Sequence, residues 1–215
     1  MAGERWATFD CYGTLIDWNG GIRRELARVF GEARADEQLE RYHDAEPALQ
    51  ADGTRSYREV MTEAMRELGA SDEEAPGLAD SLPSWEPFPE VRAALQEARS
   101  RGWKLAILSN TDRDFIDASM TRLGVPFERA IVASEIGSYK PAHRHWERFF
   151  EETGAPREGH VHVAQSHFHD VVPATELGLR TIWINRLGER HDRPPTRELH
   201  DLTQLPDALD DLVPA

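Results

Sequence analysis

Cysteine is almost absent from this chain: Cys11 is the only one among 215 residues. No internal disulfide can form, and a reducing compartment suits such a composition. No run approaches the roughly 18 apolar residues of a membrane-spanning helix. The opening residues, MAGERWATFD, lack the apolar stretch of a secretory leader. Blocks of lysine or arginine are missing too, and the net charge is −14. That balance excludes a nucleic-acid or anionic-membrane surface, although a few buried cations can still hold a small anion. The expectation is a soluble, cytoplasmic protein, with a small anion still open as its ligand.

Apolar residues make up 40% of the chain and charged residues 30%, enough for a real core beneath a solvated surface. The first apolar run, Trp6 to Phe9, is short and ends at the turn residues Tyr12-Gly13-Thr14, so it reads as a buried strand. The next seventy residues show only helical periodicity. Ile22, Leu26, Val29 and Phe30 make one stripe; Tyr57, Val60, Met61, Ala64, Met65 and Leu68 make another. SDEE, Ser71 to Glu74, has the form of a capping box that starts a helix.

Beyond Pro87-Phe88-Pro89 the rhythm alternates. KLAILSN, RAIVAS, HVHVAQ and RTIWIN read as strands. FIDASMTRL, PAHRHWERFFEE with Pro141 at its first position, VVPATEL and LPDALDDL read as helices. RHDRPP, ending at Pro195, reads as a surface loop. The fold class this predicts is α/β: a doubly wound parallel sheet with an all-helical cap inserted after the first strand. The expected division is a core over 1–15 and 86–215, with the cap over 16–85.

In such a sheet the carboxyl ends of the strands meet at one crevice. They bring Asp10 and Thr14, then Ser109 and Asn110, then Lys140, then Gln165, Ser166, His167, His169 and Asp170. A carboxylate at Asp10 is a competent nucleophile, and the amides of the 11–14 turn can form an anion nest beside it. Ser109 and Asn110 can hold an anionic oxygen of the substrate. Lys140 either keeps Asp10 ionised or balances charge in the transition state, and Asp170 either orients Lys140 or activates water.

With DCYGTL, LSN, YKP and AQSHFHD in this order, the chain resembles the haloacid dehalogenase superfamily, and within it the branch that hydrolyses 2-haloacids. The resemblance spans nearly the whole chain. It implies displacement of halide by Asp10 through an aspartyl ester, no required cofactor, and a possible homodimer. Superfamily phosphatases carry a second acid two residues after the nucleophile, because an alkoxide must be protonated as it leaves. Here that place holds Tyr12, whose phenol is a poor acid at neutral pH. Halide leaves without a proton, so Tyr12 fits a dehalogenase; the other reading is a cavity wall in a phosphatase whose acid lies elsewhere. Under that alternative Asp10 and Asp170 would bind Mg²⁺, although Gln165 stands where a phosphatase supplies another acid.

The resemblance also places the arginine that receives the substrate carboxylate or halide at Arg41, which equally fits a solvated helix face. His167 stands where the branch has a water-positioning asparagine. It, or His169, either activates water or caps the following helix. Trp146 replaces a tyrosine of the branch, and Cys11 reads as a packed thiol on the face opposite Asp10.

Overall fold

The computed structural model describes residues 3–51 and 53–215; Met1 and Ala2 of the expected core and Asp52 of the expected cap lie outside the described residues. Strand β1 (Arg5–Phe9) opens the chain and leads through a turn to the helices α1 (Trp18–Phe30), α2 (Ala35–Gln50), α3 (Tyr57–Glu67) and α4 (Gly77–Ser81). The alternating half follows: α5 (Val91–Ser100), β2 (Trp103–Ser109), α6 (Arg113–Leu123), β3 (Arg129–Val132), α7 (Ala133–Ile136), α8 (Arg144–Thr153) and β4 (His160–Ala164). A wide helical turn over His167–Val171 continues into α9 (Val172–Glu176), then β5 (Arg180–Ile184), β6 (Arg197–Leu199) and α10 (Leu205–Leu212). The strands form one sheet in the order β3-β2-β1-β4-β5-β6, every pair parallel. This is the expected doubly wound α/β core with a helical cap. No helix among the described residues is long and apolar enough to cross a membrane.

Strand alternation sorts the side chains onto two faces. Ala7, Phe9, Leu105, Ile107, Val161, Val163, Ile182 and Ile184 share one core with α5, α6, α10 and the buried stripes of the cap. Trp6, Ala106, Leu108 and Ile131 pack on the other face against Trp146 and Phe149 of α8. Trp146 is therefore a core residue under the sheet. Cys11 is fully buried, and burial drives its thiol well above its ordinary value, as a packed thiol requires.

Cap and core meet at several joints. The crossing strands pair, with Asp17 N–H donating to Glu86 O and Phe88 N–H donating to Leu15 O, both at 3.0 Å. Across the seam Asp112, just before α6, accepts the amides of Tyr57 and Arg58 at 3.0 and 2.9 Å. A core carboxylate thus caps the first turn of a cap helix, where the helix dipole favours negative charge.

Three local expectations need correction. Ser71 and Glu74 do exchange the capping-box hydrogen bonds, but the helix begins only at Gly77, because Pro76 has no N–H to continue the ladder. The complete box that does start a helix is Ser56 with Glu59, at α3. Pro141 is not the first residue of a helix: it sits in a turn closed by Ala142 N–H to Tyr139 O, and α8 starts at Arg144. Strand β6 was not expected; two of its three residues, Arg197 and Glu198, are exposed, so it has no apolar run to announce it.

Candidate active site

Asp10 follows directly on β1, at the centre of the sheet's carboxyl edge. The turn after it is tight: Leu15 and Ile16 both donate to Cys11 O, and Gly13 takes a φ of +86°. Glycine is needed there, because a Cβ would also press on Gln165 Oε1 at 3.2 Å. Gly13 N–H donates to Ile16 O and so takes no part in the anion nest expected of this turn. The turn does swing Thr14 back over Asp10. Its hydroxyl donates to Asp10 Oδ2 at 2.9 Å and accepts Gln165 N–H at 2.8 Å, which ties β1 to β4 above the sheet.

Lys140 is buried between two acids. Its ammonium donates to Asp10 Oδ1 at 2.9 Å, Asp170 Oδ1 at 2.6 Å and Leu108 O at 2.9 Å, using all three protons. Burial opposes its charge, but the two carboxylates outweigh burial and raise its pKa. The acids part in opposite directions. Burial and the charge of Asp170 push Asp10 up against the pull of Lys140, whereas Asp170, also buried, is held down to about 2 by its closer contact with Lys140 and a hydrogen bond from His162. Asp170 Oδ2 receives no hydrogen bond among the described residues.

Ser109 lines the same cavity, and its hydroxyl has no partner in the protein. Asn110 lines the cavity as well. Its amide donates to Lys140 O and accepts Lys140 N–H, at 3.0 and 2.6 Å, so it fixes the Lys140 loop with both ends of its side chain. The Tyr12 hydroxyl pairs with Ser119 at 3.0 Å, and burial pushes the phenol well above its usual pKa. It is an even poorer acid than a free tyrosine.

His167 places Nε2 against Arg193 O at 2.7 Å and stacks on His191 at 3.8 Å, leaving Nδ1 as its acceptor. RHDRPP is thus more than a surface loop: it fixes a cavity residue. Neither histidine caps the helical turn; Ser166 does, by accepting His169 N–H. His169 is nonetheless a cavity residue, and burial lowers its pKa.

Arg41 departs from its expected place. It is exposed and bonds to Gln38 on its own helix and to Glu67 O. The reason is helix phase: Gln38, Tyr42, Glu46 and Leu49 form the buried face of α2, and Arg41 lies one residue, about 100°, away from it. The cap residues that line the cavity include Glu46, with Trp18, His43, Gln50 and Tyr57. Burial raises its carboxyl to about 7, against hydrogen bonds from Tyr57 and Tyr42. Replacing Arg41 by alanine is expected to change kcat/KM by less than about twofold and stability by at most roughly 0.5 kcal/mol, as for an exposed surface side chain. Steady-state kinetics and a melting curve check both.

The cavity encloses about 600 Å³ between cap and sheet edge. Its other cation is Arg186, stacked on Phe88 at 3.7 Å and paired with Glu90 and Thr14 O. Two exposed apolar side chains, Phe168 and Leu187, stand at the same cavity. Mg²⁺ fits this set poorly. Both oxygens of Asp10 and one of Asp170 already accept hydrogen bonds, an ammonium sits between the acids, and Gln165 offers only a neutral amide.

The haloacid dehalogenase-like hydrolase family matches residues 5–163. The chain is 30% identical to haloacetate dehalogenase H-2 of Moraxella sp. (strain B), over 93% of this chain and 90% of that one. It is 28% identical to (S)-2-haloacid dehalogenase 4A of Burkholderia cepacia, over 98% and 94%. The fold superposes on L-2-haloacid dehalogenase from Xanthobacter autotrophicus with a TM-score of 0.84, at 19% identity and over 96% and 98% of the two chains. The motif residues, the sheet order and these matches agree: the chain belongs to the haloacid dehalogenase-like hydrolase family.

Proposed function

We propose that the protein hydrolyses the carbon–halogen bond of a small 2-haloalkanoic acid to give a 2-hydroxy acid. The observation that carries this reading is the state of Tyr12. The position from which a phosphatase protonates its leaving group holds a half-buried phenol turned to Ser119, so the site favours a halide, which leaves the first step without a proton. The similarity to enzymes named as 2-haloacid and haloacetate dehalogenases supports it.

In the first step an Asp10 oxygen attacks the substrate carbon, the carbon–halogen bond breaks, and halide departs with the bonding electrons. Lys140 and Thr14 hold the carboxylate in place for this in-line displacement. In the second step water adds to the Asp10 carbonyl carbon and gives its proton to Asp170, with Nδ1 of His167 as a further acceptor. The acyl–oxygen bond then breaks, the departing alkoxide takes up the proton held by Asp170, and the acid formed on Asp10 loses its proton to solvent, which restores the carboxylate as the hydroxy acid leaves. Ser109, whose hydroxyl is uncommitted, is the strand-end donor for the substrate carboxylate. No step passes through a metal ion.

A single turnover in H₂¹⁸O tests the order of bonds. Label is expected in the Asp10 carboxylate and not in the product of that turnover. Label going straight into product would mean direct attack by water and would sink the ester mechanism.

Glu46 gives the reaction a pH dependence of its own. Below about 7 it is neutral and can donate to a substrate carboxylate; above that it is ionised and repels one. KM for a 2-haloacid is therefore expected to rise by about fivefold between pH 6 and 8, the equivalent of ~1 kcal/mol. In Glu46→Gln the KM profile should be flat over that range; a profile unchanged by the substitution would clear Glu46 of the effect.

A further inference from the structure

Strand β4 carries two histidines on one face, His160 and His162, with Val161 and Val163 on the other. All four are fully buried. The valines join the larger core. The histidines instead form a polar line under the site with Thr8 of β1. His162 Nε2 lies 2.9 Å from Asp170 Oδ1, His162 Nδ1 lies 2.8 Å from Thr8 Oγ1, and Thr8 Oγ1 lies 2.9 Å from His160 Nε2.

The protons in this line can be placed by elimination. Asp170 is ionised and only accepts, so His162 Nε2 carries a proton and donates it. If the His162 ring carries that one proton alone, its Nδ1 is bare and accepts the Thr8 hydroxyl. Thr8 has one proton to give, so toward His160 it must accept, and His160 is protonated on Nε2. His160 Nδ1 is left as a bare acceptor, and it is a buried atom without a partner, as this assignment requires. Burial also drives His160 well below its ordinary pKa, which keeps it neutral. Every hydrogen bond in the line points toward Asp170. Trp146 stands edge-on to His162 at 5.2 Å, and Phe149 and Phe150 flank His160, so the rings have no room to turn.

We infer that His162 is a positioning residue for ester hydrolysis: its Nε2–H and Lys140 together occupy Asp170 Oδ1 and leave Oδ2 as the oxygen that takes the proton of water. Thr8 and His160 act one step further back, by fixing which nitrogen of His162 bears its proton. The inference rests on the reading of Asp170 as the proton acceptor of the second step. A neutral imidazole of the other tautomer would present a lone pair to a carboxylate and turn it aside.

His162→Phe keeps the ring and removes both hydrogen bonds. Because Asp170 acts only after halide has left, this variant is expected to release a burst of about one halide per Asp10 and then turn over roughly 10- to 100-fold more slowly than the parent, the range for losing a supporting partner of this kind. His162→Gln, whose amide can still donate toward Asp170, should restore turnover to within about tenfold. Parental turnover in His162→Phe overturns the inference, as does a burst that falls in step with the steady rate. Imidazole ¹⁵N spectra of the unaltered protein give a reading that needs neither activity nor a stable variant. They should show Nε2–H and a bare Nδ1 in both His160 and His162; a proton on Nδ1 of His162 overturns the inference. Absence of halide release from the parent on every 2-haloacid would sink the dehalogenase reading itself, while the spectra decide the hydrogen-bond line separately.

Discussion

Asp10→Asn is expected to release no measurable halide, with turnover down by about 10⁴-fold or more, the scale seen when a covalent nucleophile is removed. The amide is close in shape, so the cavity and the Lys140–Asp170 pair should remain. Stability should hold or rise. Burial raises the pKa of Asp10 in the fold, so its ionised form is the costlier one, and a neutral amide removes that cost at neutral pH. Loss of turnover with an unchanged or higher melting temperature is the pairing that marks a nucleophile rather than a structural acid. Mass spectrometry must show that the asparagine has not been hydrolysed back to aspartate. Residual turnover above a thousandth of the parent in such a sample would rule out attack by Asp10.

Lys140→Met should be the most destabilising single change at the site. It leaves Asp10 and Asp170 buried side by side with no cation between them. Stripping one partner from a buried ion pair costs about 3–5 kcal/mol. For a chain of this length that is a fall in melting temperature of roughly 10 °C. The sign of the pH dependence follows from Asp170. Its pKa is depressed in the fold from 3.8 to about 2, so it contributes stability that is present above about 3.8 and lost as pH falls through about 2. Without Lys140 that contribution shrinks, Asp10 is pushed higher, and the acid limb of kcat/KM moves to higher pH. Adding Asp170→Asn should recover part of the stability and none of the activity. A Lys140→Met protein as stable as the parent would show that the two acids can share one proton unaided.

Asp10, Ser109 and the residues after β4 were readable because they follow strand ends, and strand ends in a parallel sheet have one destination; Lys140 reaches the same place from the loop after α7. Asp10, Thr14, Ser109, Lys140, His167 and Asp170 line the cavity or bond within it. Arg41 was misplaced because a distance counted from the nucleophile ignores the rotation of a helix. The stripe Gln38, Tyr42, Glu46, Leu49 was there to read, and it points to Glu46 instead. The line of His162, Thr8 and His160 was hidden in plain alternation: HVHV puts two rings on one face, and only pairing with β1 shows that Thr8 lies between them. Strand β6 depends on its pairing with β5, which local patterns do not encode.

The Asp112 carboxylate at the first turn of α3 has a consequence for traffic through the site. Parting cap from core at this seam means breaking two charge-assisted bonds to a largely buried carboxylate, which salt weakens little. If the proposed ester forms between cap and core, the tightness of this clasp bears on how product escape is balanced against entry of bulk solvent. That balance can be adjusted at one side chain that touches no reacting atom, which separates the tempo of the enzyme from its chemistry.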